Sequence, residues 1–381
     1  MTVRTVIDAP RTYPGLVRDI EAKRVPDVNG LDVHVLTAGE PDAPRGTVVL
    51  LHGFPELSFS WRDVMVPIAN AGFYVISPDQ RGYGLTTGWD RRFDGDVASF
   101  SAANLVADVV ALLHRMDVRR VSCVVGHDFG SLVAARCALL HPGLFESVVL
   151  MSAPMSPVTP PGAARQFFAA IKAGLRALDP PREHYQCYFS ERRAEADMLA
   201  SPRGLAAFLR GYVHGKSGDW HGNDPHPLTG ATAEDFAQLP TYYVMPADIG
   251  MVETVVPYFE DYLSGDACEW LTDEELSVYV DTFVGSGFQG GLNWYRCVTQ
   301  GIGEEALASV VGQPITIPAA FIAGTRDWGI HQTPGALATM QTAGCSDFRM
   351  LQLIDGAGHW VQQEQPVAVV EALLAFLDHA P

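Results

Sequence analysis

The stretch VSCVVGHDFG, residues 121–130, decides the fold of this chain, together with the run Ser131 to Leu140 that follows it. The apolar run at its start predicts a buried strand, and the residues after it predict a helix. Gly126 and Gly130 flank Asp128 at the point where strand and helix nearly touch, so that only small neighbours fit. This pattern predicts a sharp turn that lifts Asp128 above a sheet as a nucleophile. A carboxylate that attacks carbon leaves an alkyl ester on the protein, whereas a serine leaves an acyl ester.

Composition narrows the class of protein. The 381 residues are 48% hydrophobic and 18% charged, which is typical of a globular chain with a large core. The net charge of −18 argues against nucleic acid or an anionic membrane as a partner. No apolar run approaches the ~20 residues that cross a bilayer, and the first 23 residues lack the apolar block of a signal peptide. We therefore expect no membrane insertion.

Cysteine and lysine usage indicate the cell compartment and the source. The six cysteines are scattered without a C-x-x-C pair, which predicts reduced, buried thiols in a cytoplasmic protein. Only three of the 26 basic residues are lysines, while alanine, glycine and proline are abundant, a composition typical of a GC-rich bacterial genome. The sequence leaves the oligomeric state open, and a homodimer is one compatible state.

Strand-like and helix-like runs alternate through the first 155 residues. Five runs predict strands: Leu31 to Thr37, Thr47 to Leu51, Phe73 to Ser77, Val121 to Val125 and Ser147 to Met151. The apolar residues between Leu105 and Met116 recur at helical spacing and predict a helix that packs on a sheet. Such alternation predicts an α/β fold with a mostly parallel sheet flanked by helices.

The alternation stops at a cluster of prolines, residues 154–161, and a long helix-rich stretch follows. Strand-like runs return at Ala319 to Ala323 and at Arg349 to Ile354, and the chain closes with a predicted helix, Pro366 to Leu377. The sequence thus predicts a sheet domain interrupted by a mainly helical cap. The predicted divisions are an N-terminal extension, 1–23, a sheet domain, 24–155 and 313–381, and a cap, 156–312.

Two further polar residues follow predicted strands. Asp327 comes after the run that begins at Ala319, and His359 comes after the run that begins at Arg349. The chain order nucleophile, acid, histidine is that of the α/β-hydrolase fold, where such residues meet at the strand ends. We expect Asp327 to orient His359, which would activate a water as general base. Asp355, four residues before His359, is a poor candidate for the same task.

The loop His52-Gly53-Phe54-Pro55-Glu56 directly follows another predicted strand. In this fold, one amide of such a loop and the amide after the nucleophile form the oxyanion hole. We therefore expect the amides of Phe54 and Phe129 to stabilise developing negative charge. Pro55 is a candidate for a cis peptide bond.

From about residue 24 onward, the chain resembles the soluble epoxide hydrolases of the α/β-hydrolase fold. The motifs that carry this resemblance are residues 52–56, Asp79-Gln80-Arg81-Gly82-Tyr83-Gly84, residues 126–130, Gly358-His359-Trp360-Val361-Gln362, Tyr185-Gln186-Cys187-Tyr188-Phe189 and the cap motif 287–296. Haloalkane dehalogenases share the sharp turn at residues 126–130 and the His-Gly-x-Pro loop. The cap tyrosines are therefore the feature that favours the epoxide hydrolases.

The resemblance implies a mechanism without metal or cofactor. Asp128 attacks an epoxide carbon while Tyr185 and Tyr295 donate protons toward the ring oxygen, and His359 with Asp327 then hydrolyses the ester to a vicinal diol. Tyr188 is the alternative to Tyr185. The residues implied to contact the small-molecule epoxide are Trp294, Trp360 and Pro55.

Two other functions stay open at this point. A haloalkane dehalogenase would use the same nucleophile and base, although Phe129 lacks the indole N–H that often holds a leaving halide. A non-catalytic receptor would bind a small ligand in the same pocket, although the complete set of nucleophile, acid and base argues against it. Asp128 itself excludes an ordinary serine esterase.

Overall fold

The computed structural model describes residues 12–263 and 267–379. Within these ranges the strands are β1 (Ile20–Val28), β2 (Leu31–Ala38), β3 (Thr47–Leu51), β4 (Tyr74–Pro78), β5 (Cys123–His127), β6 (Val148–Met151), β7 (Arg182–His184), β8 (Val244–Pro246), β9 (Ala319–Gly324) and β10 (Phe348–Ile354). Eight of them form one sheet, in the order β1-β2-β4-β3-β5-β6-β9-β10, whereas β7 and β8 form a separate antiparallel pair.

The central sheet is mostly parallel. Strands β4, β3, β5, β6, β9 and β10 run parallel to one another, whereas β2 pairs antiparallel with β4 and β1 pairs antiparallel with β2. Every residue of β3, β5, β6 and β9 is buried, as expected for strands that are covered by helices on both faces. This architecture confirms the predicted α/β-hydrolase fold.

The helices of the sheet domain are α1 (Arg62–Asn70), α2 (Ala102–Arg115) and α3 (Phe129–Leu140), with α12 (Ala336–Thr339), α13 (Val361–Glu364) and α14 (Pro366–Leu377) near the C-terminus. The helices between β6 and β9 are α4 (Ala163–Arg176), α5 (Tyr185–Phe189), α6 (Arg193–Leu199), α7 (Leu205–Lys216), α8 (Ala233–Phe236), α9 (Met251–Tyr258), α10 (Asp273–Ser286) and α11 (Gln289–Gln300). These eight helices form the helix-rich insertion that the sequence predicts. None of the described helices combines the length and apolarity needed to cross a bilayer.

The first strand was not predicted. β1 begins at Ile20, inside the segment 1–23 that the sequence analysis treats as an N-terminal extension, and it pairs with β2 from Ile20 opposite Ala38 to Val28 opposite Leu31. Its side chains are mostly exposed because it lies at the edge of the sheet, where polar residues are tolerated. A polar edge strand has no apolar run to reveal it. Residues 1–11 lie outside the described part of the chain.

The cap meets the sheet domain through two facing glycines. A Cβ atom added to Gly290, at the start of α11, would lie 2.1 Å from the carbonyl oxygen of Gly82. One turn later the indole nitrogen of Trp294 donates a hydrogen bond of 3.0 Å to the carbonyl oxygen of Arg81. These backbone contacts fix the position of α11 on the sheet domain.

All six cysteines lie in the described ranges, where each is buried and free of disulfide bonds.

The turn between β5 and α3 is packed backbone against backbone. A Cβ atom on Gly126 would lie 2.1 Å from the carbonyl oxygen of Gly130, and one on Gly130 would lie 2.1 Å from that of Leu51. Asp128, between them, has φ of 52° and ψ of −119°, a backbone conformation that non-glycine residues seldom adopt. The surrounding contacts therefore hold the nucleophile in its strained position.

We predict that Gly126→Ala destabilises the protein by about 1–3 kcal/mol or more, because its methyl group has no room beside a backbone oxygen. Urea unfolding measures this loss. Gly143→Ala is the matched control, since a Cβ atom there meets no heavy atom within 4 Å. Equal stability of the two variants would show that the turn relaxes, contrary to this view of its packing.

Candidate active site

Asp128 lines a cavity of about 350 Å³. Helix α3 forms one wall, with Phe129 and Leu132 close in sequence to the nucleophile, and Tyr185 contributes from the cap. The volume is typical of a pocket for a small molecule. A buried carboxylate in the wall of a mainly apolar cavity is placed to react with an organic substrate.

The two carboxylate oxygens of Asp128 have different surroundings. The amide of Phe54 donates a hydrogen bond of 3.0 Å to Oδ1, which brings the predicted loop amide to the nucleophile. Oδ2 lies 3.3 Å from Nε2 of His359. The peptide bond between Phe54 and Pro55 is cis, as predicted. The amide of Phe129, the second predicted donor, stands at the first residue of α3.

His359 and Asp327 meet as predicted. Nδ1 of His359 lies 3.1 Å and 3.2 Å from the two carboxylate oxygens of Asp327, and both side chains are buried. The amide of Gly329 donates a hydrogen bond of 2.6 Å to Oδ1 of Asp327, which fixes that carboxylate. Burial alone lowers the pKa of His359, but the charge of Asp327 and hydrogen bonding to Asp128 and Asp327 outweigh it and raise this pKa to about 9.

The charge of His359 acts in turn on Asp128. Burial raises the pKa of the Asp128 carboxyl, but the hydrogen bond and charge of His359, followed by the charges of Lys216 and His127, hold it well below its usual range. Asp128 is therefore a carboxylate at neutral pH, the form that can attack carbon.

The two predicted cap tyrosines lie close together. Their ring centres are 5.9 Å apart, and Tyr295 also packs edge to face on Phe129 at 4.6 Å. The hydroxyl of Tyr185 donates to Oε1 of Gln332 at 3.0 Å. Burial, followed by neighbouring tyrosines and Asp128, raises the pKa of Tyr295, while burial and the charge of Asp128 raise that of Tyr185. Both hydroxyls therefore keep their protons and are available as donors.

Tyr188, the alternative to Tyr185, points elsewhere. Its hydroxyl donates to Oδ2 of Asp197 at 3.1 Å, and the guanidinium of Arg193 stacks on its ring. It contributes nothing to the described wall of the cavity that holds Asp128, whereas Tyr185 does. The geometry therefore distinguishes two tyrosines that the sequence alone could not separate.

The three predicted substrate-contacting residues are not found on the described wall of this cavity. Trp294 packs on Tyr83 and Phe129 and holds the cap to the sheet domain, as described above. Trp360 donates from its indole to the carbonyl oxygen of Val213, and with Pro55 it lines a separate cavity of about 20 Å³. His359 and Tyr295 are likewise absent from this wall, so contact of Trp294, Trp360 and Pro55 with the substrate stays a prediction.

The chain that carries this site has clear relatives among known proteins. The model of the α/β-hydrolase fold family matches residues 46–181. Epoxide hydrolase A of Mycobacterium tuberculosis is 34% identical to this chain over 361 residues, which cover 93% of this chain and 97% of the relative. The chain belongs to the epoxide hydrolases of the α/β-hydrolase fold.

Solved structures agree with this assignment. An epoxide hydrolase from an endophytic Streptomyces superposes with a TM-score of 0.77 at 30% identity, covering 95% of this chain and 96% of that one. Potato (Solanum tuberosum) epoxide hydrolase I superposes with a TM-score of 0.70 at 29% identity, covering 94% and 99%. The epoxide hydrolase interpretation is therefore confirmed at the level of the family, in preference to a dehalogenase or a receptor.

One residue of this epoxide hydrolase that sequence reasoning missed is Lys216, the last residue of α7. Its side chain is buried. Four tyrosine rings surround its ammonium group, with centres 4.5 to 5.8 Å away: Tyr185, Tyr212, Tyr242 and Tyr243. Burial lowers the pKa of Lys216 to about 8, although the charges of Asp128 and Asp327 raise it. The signal that the sequence offered for Lys216 is the scarcity of lysine, of which the chain has only three.

Two carboxylates that were also missed, half-buried Glu364 and buried Glu56, fix the catalytic loops. Oε2 of Glu364 accepts the amide of Gly358 and Oε1 accepts that of Trp360, so this carboxylate holds both neighbours of His359. Glu56 accepts from Nδ1 of His127 at 2.5 Å, and Nε2 of that ring lies 2.7 Å from the carbonyl oxygen of His359. The described residues contain no group of three or more histidine, cysteine or acidic side chains arranged to hold a metal ion.

We predict that Asp327→Asn lowers the pKa of His359 by about 1 to 3, because an opposite charge in contact shifts a pKa by that amount and burial then dominates. NMR titration of the ring nitrogens measures the change from the expected value of about 9 in the unchanged protein.

The matched control for this titration is Asp355→Asn, an exposed carboxylate four residues before His359. It should leave the pKa of His359 where it is. If the two variants shifted this pKa equally, Asp327 would not be the group that sets it.

Proposed function

We propose that this chain hydrolyses an epoxide to a vicinal diol through a covalent ester on Asp128. The observation that carries the proposal is the placement of that carboxylate. It lines the cavity with one oxygen bound by the Phe54 amide and the other 3.3 Å from Nε2 of His359. The nucleophile and Tyr185 share the cavity wall, the base contacts the nucleophile from behind that wall, and the ring of Tyr295 packs on that of Tyr185.

In the first step, an oxygen of Asp128 bonds to an epoxide carbon and the bond between that carbon and the ring oxygen breaks. The ring oxygen takes a proton from Tyr185 or Tyr295, so that a neutral hydroxyl forms instead of an alkoxide. The substrate oxygen replaces Gln332 as the acceptor for the hydroxyl of Tyr185. The raised pKa of each tyrosine ensures that its proton is present when the ring opens.

Ester formation then changes the state of His359. Asp128 loses its negative charge on alkylation, which removes one of the interactions that raise the pKa of His359. The nearby ammonium of Lys216 continues to lower this pKa. The imidazolium therefore gives up its proton. The tyrosinate left by the first step regains one, so that no net proton is gained or lost. His359 becomes a neutral base only after the ester exists.

In the second step, His359 takes a proton from a water as the water oxygen attacks the carboxyl carbon of Asp128. The tetrahedral oxyanion is stabilised by the amides of Phe54 and Phe129. Collapse of this intermediate breaks the bond between the carboxyl carbon and the substrate oxygen, which takes the proton from His359 and leaves as part of the diol. The second proton of the water, left on the carboxyl group of Asp128, then passes to His359, which restores the carboxylate and the imidazolium. One oxygen of Asp128 has then come from water.

The experiment that tests the proposal uses His359→Gln, which keeps the ring-opening groups and removes the base. We predict that this variant gains the mass of one epoxide on mixing with substrate and releases diol at least about 100-fold more slowly than the unchanged enzyme, because general base catalysis is worth that much. Intact-protein mass spectrometry measures the adduct.

The control for trapping is His359→Gln combined with Asp128→Asn, which should gain no mass. In parallel, one turnover of the unchanged enzyme in heavy-oxygen water should place the label in Asp128. Label found only in the diol would mean that water attacks the epoxide directly and that no ester forms.

We predict that Tyr185→Phe and Tyr295→Phe each slow ester formation by about 10-fold or more, since each removes a donor that acts as the ring opens. Stopped-flow fluorescence of the tryptophans measures the alkylation rate. Tyr188→Phe is the matched control because the hydroxyl of Tyr188 is bound to Asp197, and its alkylation rate should match that of the unchanged enzyme. If all three variants formed the ester at the rate of the unchanged enzyme, the proton donor would lie elsewhere.

A further inference from the structure

Arg136 is a half-buried cation for which the described chain offers no partner. It lies on α3 and forms part of the wall of the cavity that holds Asp128. Its Nε and Nη1 atoms are buried and have no hydrogen-bond partner among the described residues. Burial lowers the pKa of its guanidinium to about 10, and no carboxylate opposes this effect. An unpaired charge in such a place costs stability unless a ligand supplies the missing partner.

The position of Arg136 relative to the nucleophile follows from the helix. Asp128 directly precedes α3, Leu132 and Arg136 share one face of that helix, and all three contribute to the cavity wall. Seven helical residues separate Phe129, next to the nucleophile, from Arg136, which corresponds to about 10 Å along the axis. The cavity wall therefore carries a reactive carboxylate and, about two helical turns further along α3, a cation.

The wall between the two charges is mostly apolar. The side chains that contribute there, from α3, α4, α11 and the loop after α11, include Leu132, Ala135, Phe168, Val298 and Ile302. Apart from Asp128 and Arg136, the wall has one acidic or basic residue, Glu304, whose Oε2 accepts the amide of Gly162 at 2.6 Å. Within the described ranges Glu304 neither hydrogen-bonds to Nε or Nη1 of Arg136 nor shifts the pKa of its guanidinium. The guanidinium is therefore free for a ligand.

We propose that Arg136 binds the carboxylate of an epoxide substrate whose ring lies at Asp128 and whose hydrocarbon chain lies along α3. The proposal rests on the proposed function and adds the class of substrate, an epoxide of a carboxylic acid. A guanidinium and a carboxylate form charge-assisted hydrogen bonds, which gain strength in an apolar cavity. The same contact fixes how far the ring reaches, and so selects which carbon Asp128 attacks.

The test compares epoxides of graded chain length as free acids and as primary amides of the same shape. The unchanged enzyme should favour the acid in kcat/KM by about 10-fold or more at the best length, as expected for a hydrogen bond to a charged group. Arg136→Gln should bring the ratio of acid to amide close to one. Arg136→Lys should retain part of the preference, because the charge stays while the planar fork is lost.

The matched control is Arg165→Gln, an exposed arginine of α4 outside the cavity wall, which should keep the full preference for the acid. Equal kcat/KM for acid and amide in the unchanged enzyme at every length would overturn the proposal, whatever the variants do. If Arg136→Gln does not fold, the unchanged enzyme and Arg136→Lys still decide.

A binding measurement separates this inference from the proposed function. Decanoate has no epoxide, so its binding requires no chemistry. It should raise the melting temperature of the unchanged protein more than decanamide does, and the difference should disappear in Arg136→Gln. Hydrolysis of amides without any preference for acids would overturn the role of Arg136 alone, whereas selective decanoate binding without turnover of any epoxide would overturn the proposed function alone.

Discussion

Close backbone packing around Asp128 is the constraint on which the site depends. Gly126, Gly130 and the loop after β3 approach so nearly that no side chain fits between them, and a Cβ atom on Gly53 would lie 2.4 Å from that of Asp128. The nucleophile is held in a conformation that a free chain would leave at once. The same packing brings the Phe54 amide to the carboxylate, so the strain and the stabilising donor come from one arrangement. The chemistry begins from a nucleophile whose position the fold has already determined.

Around this fixed point, four buried charges balance one another. Two carboxylates, an imidazolium and the ammonium of Lys216 lie in a region almost free of solvent, where each strongly affects the others. The balance changes when one carboxylate becomes an ester. A single covalent event can then convert the histidine from a cation that keeps its neighbour ionised into a base, with no movement of the backbone. Electrostatic coupling, rather than conformational change, orders the two half-reactions in this scheme.

Sequence reasoning identified the parts that local rules determine. The central strands are apolar runs because they are buried on both faces. Asp128, Asp327 and His359 follow strand-like runs, which is why they could be predicted. β1 was missed because an edge strand has polar side chains. Lys216 and Glu364 were missed since their importance lies in what surrounds them, which comes from distant segments. The hydrogen bonds of the Trp294 and Trp360 indoles could not be predicted, because a motif names a residue type without telling which way its side chain packs.

The contact between Gly82 and Gly290 has a consequence for how such an enzyme can evolve. It sets the height of α11 above the sheet, and with it the position of Tyr295, five residues further along the helix. Mutational drift at either glycine would displace a reacting group without altering any reacting atom. In the part of the wall built by α4 and the proline-rich segment before it, Gly162 and Gly174 meet no backbone atom within 4 Å. Substitutions that alter the range of substrates are therefore more easily accommodated there than at the contact between Gly82 and Gly290.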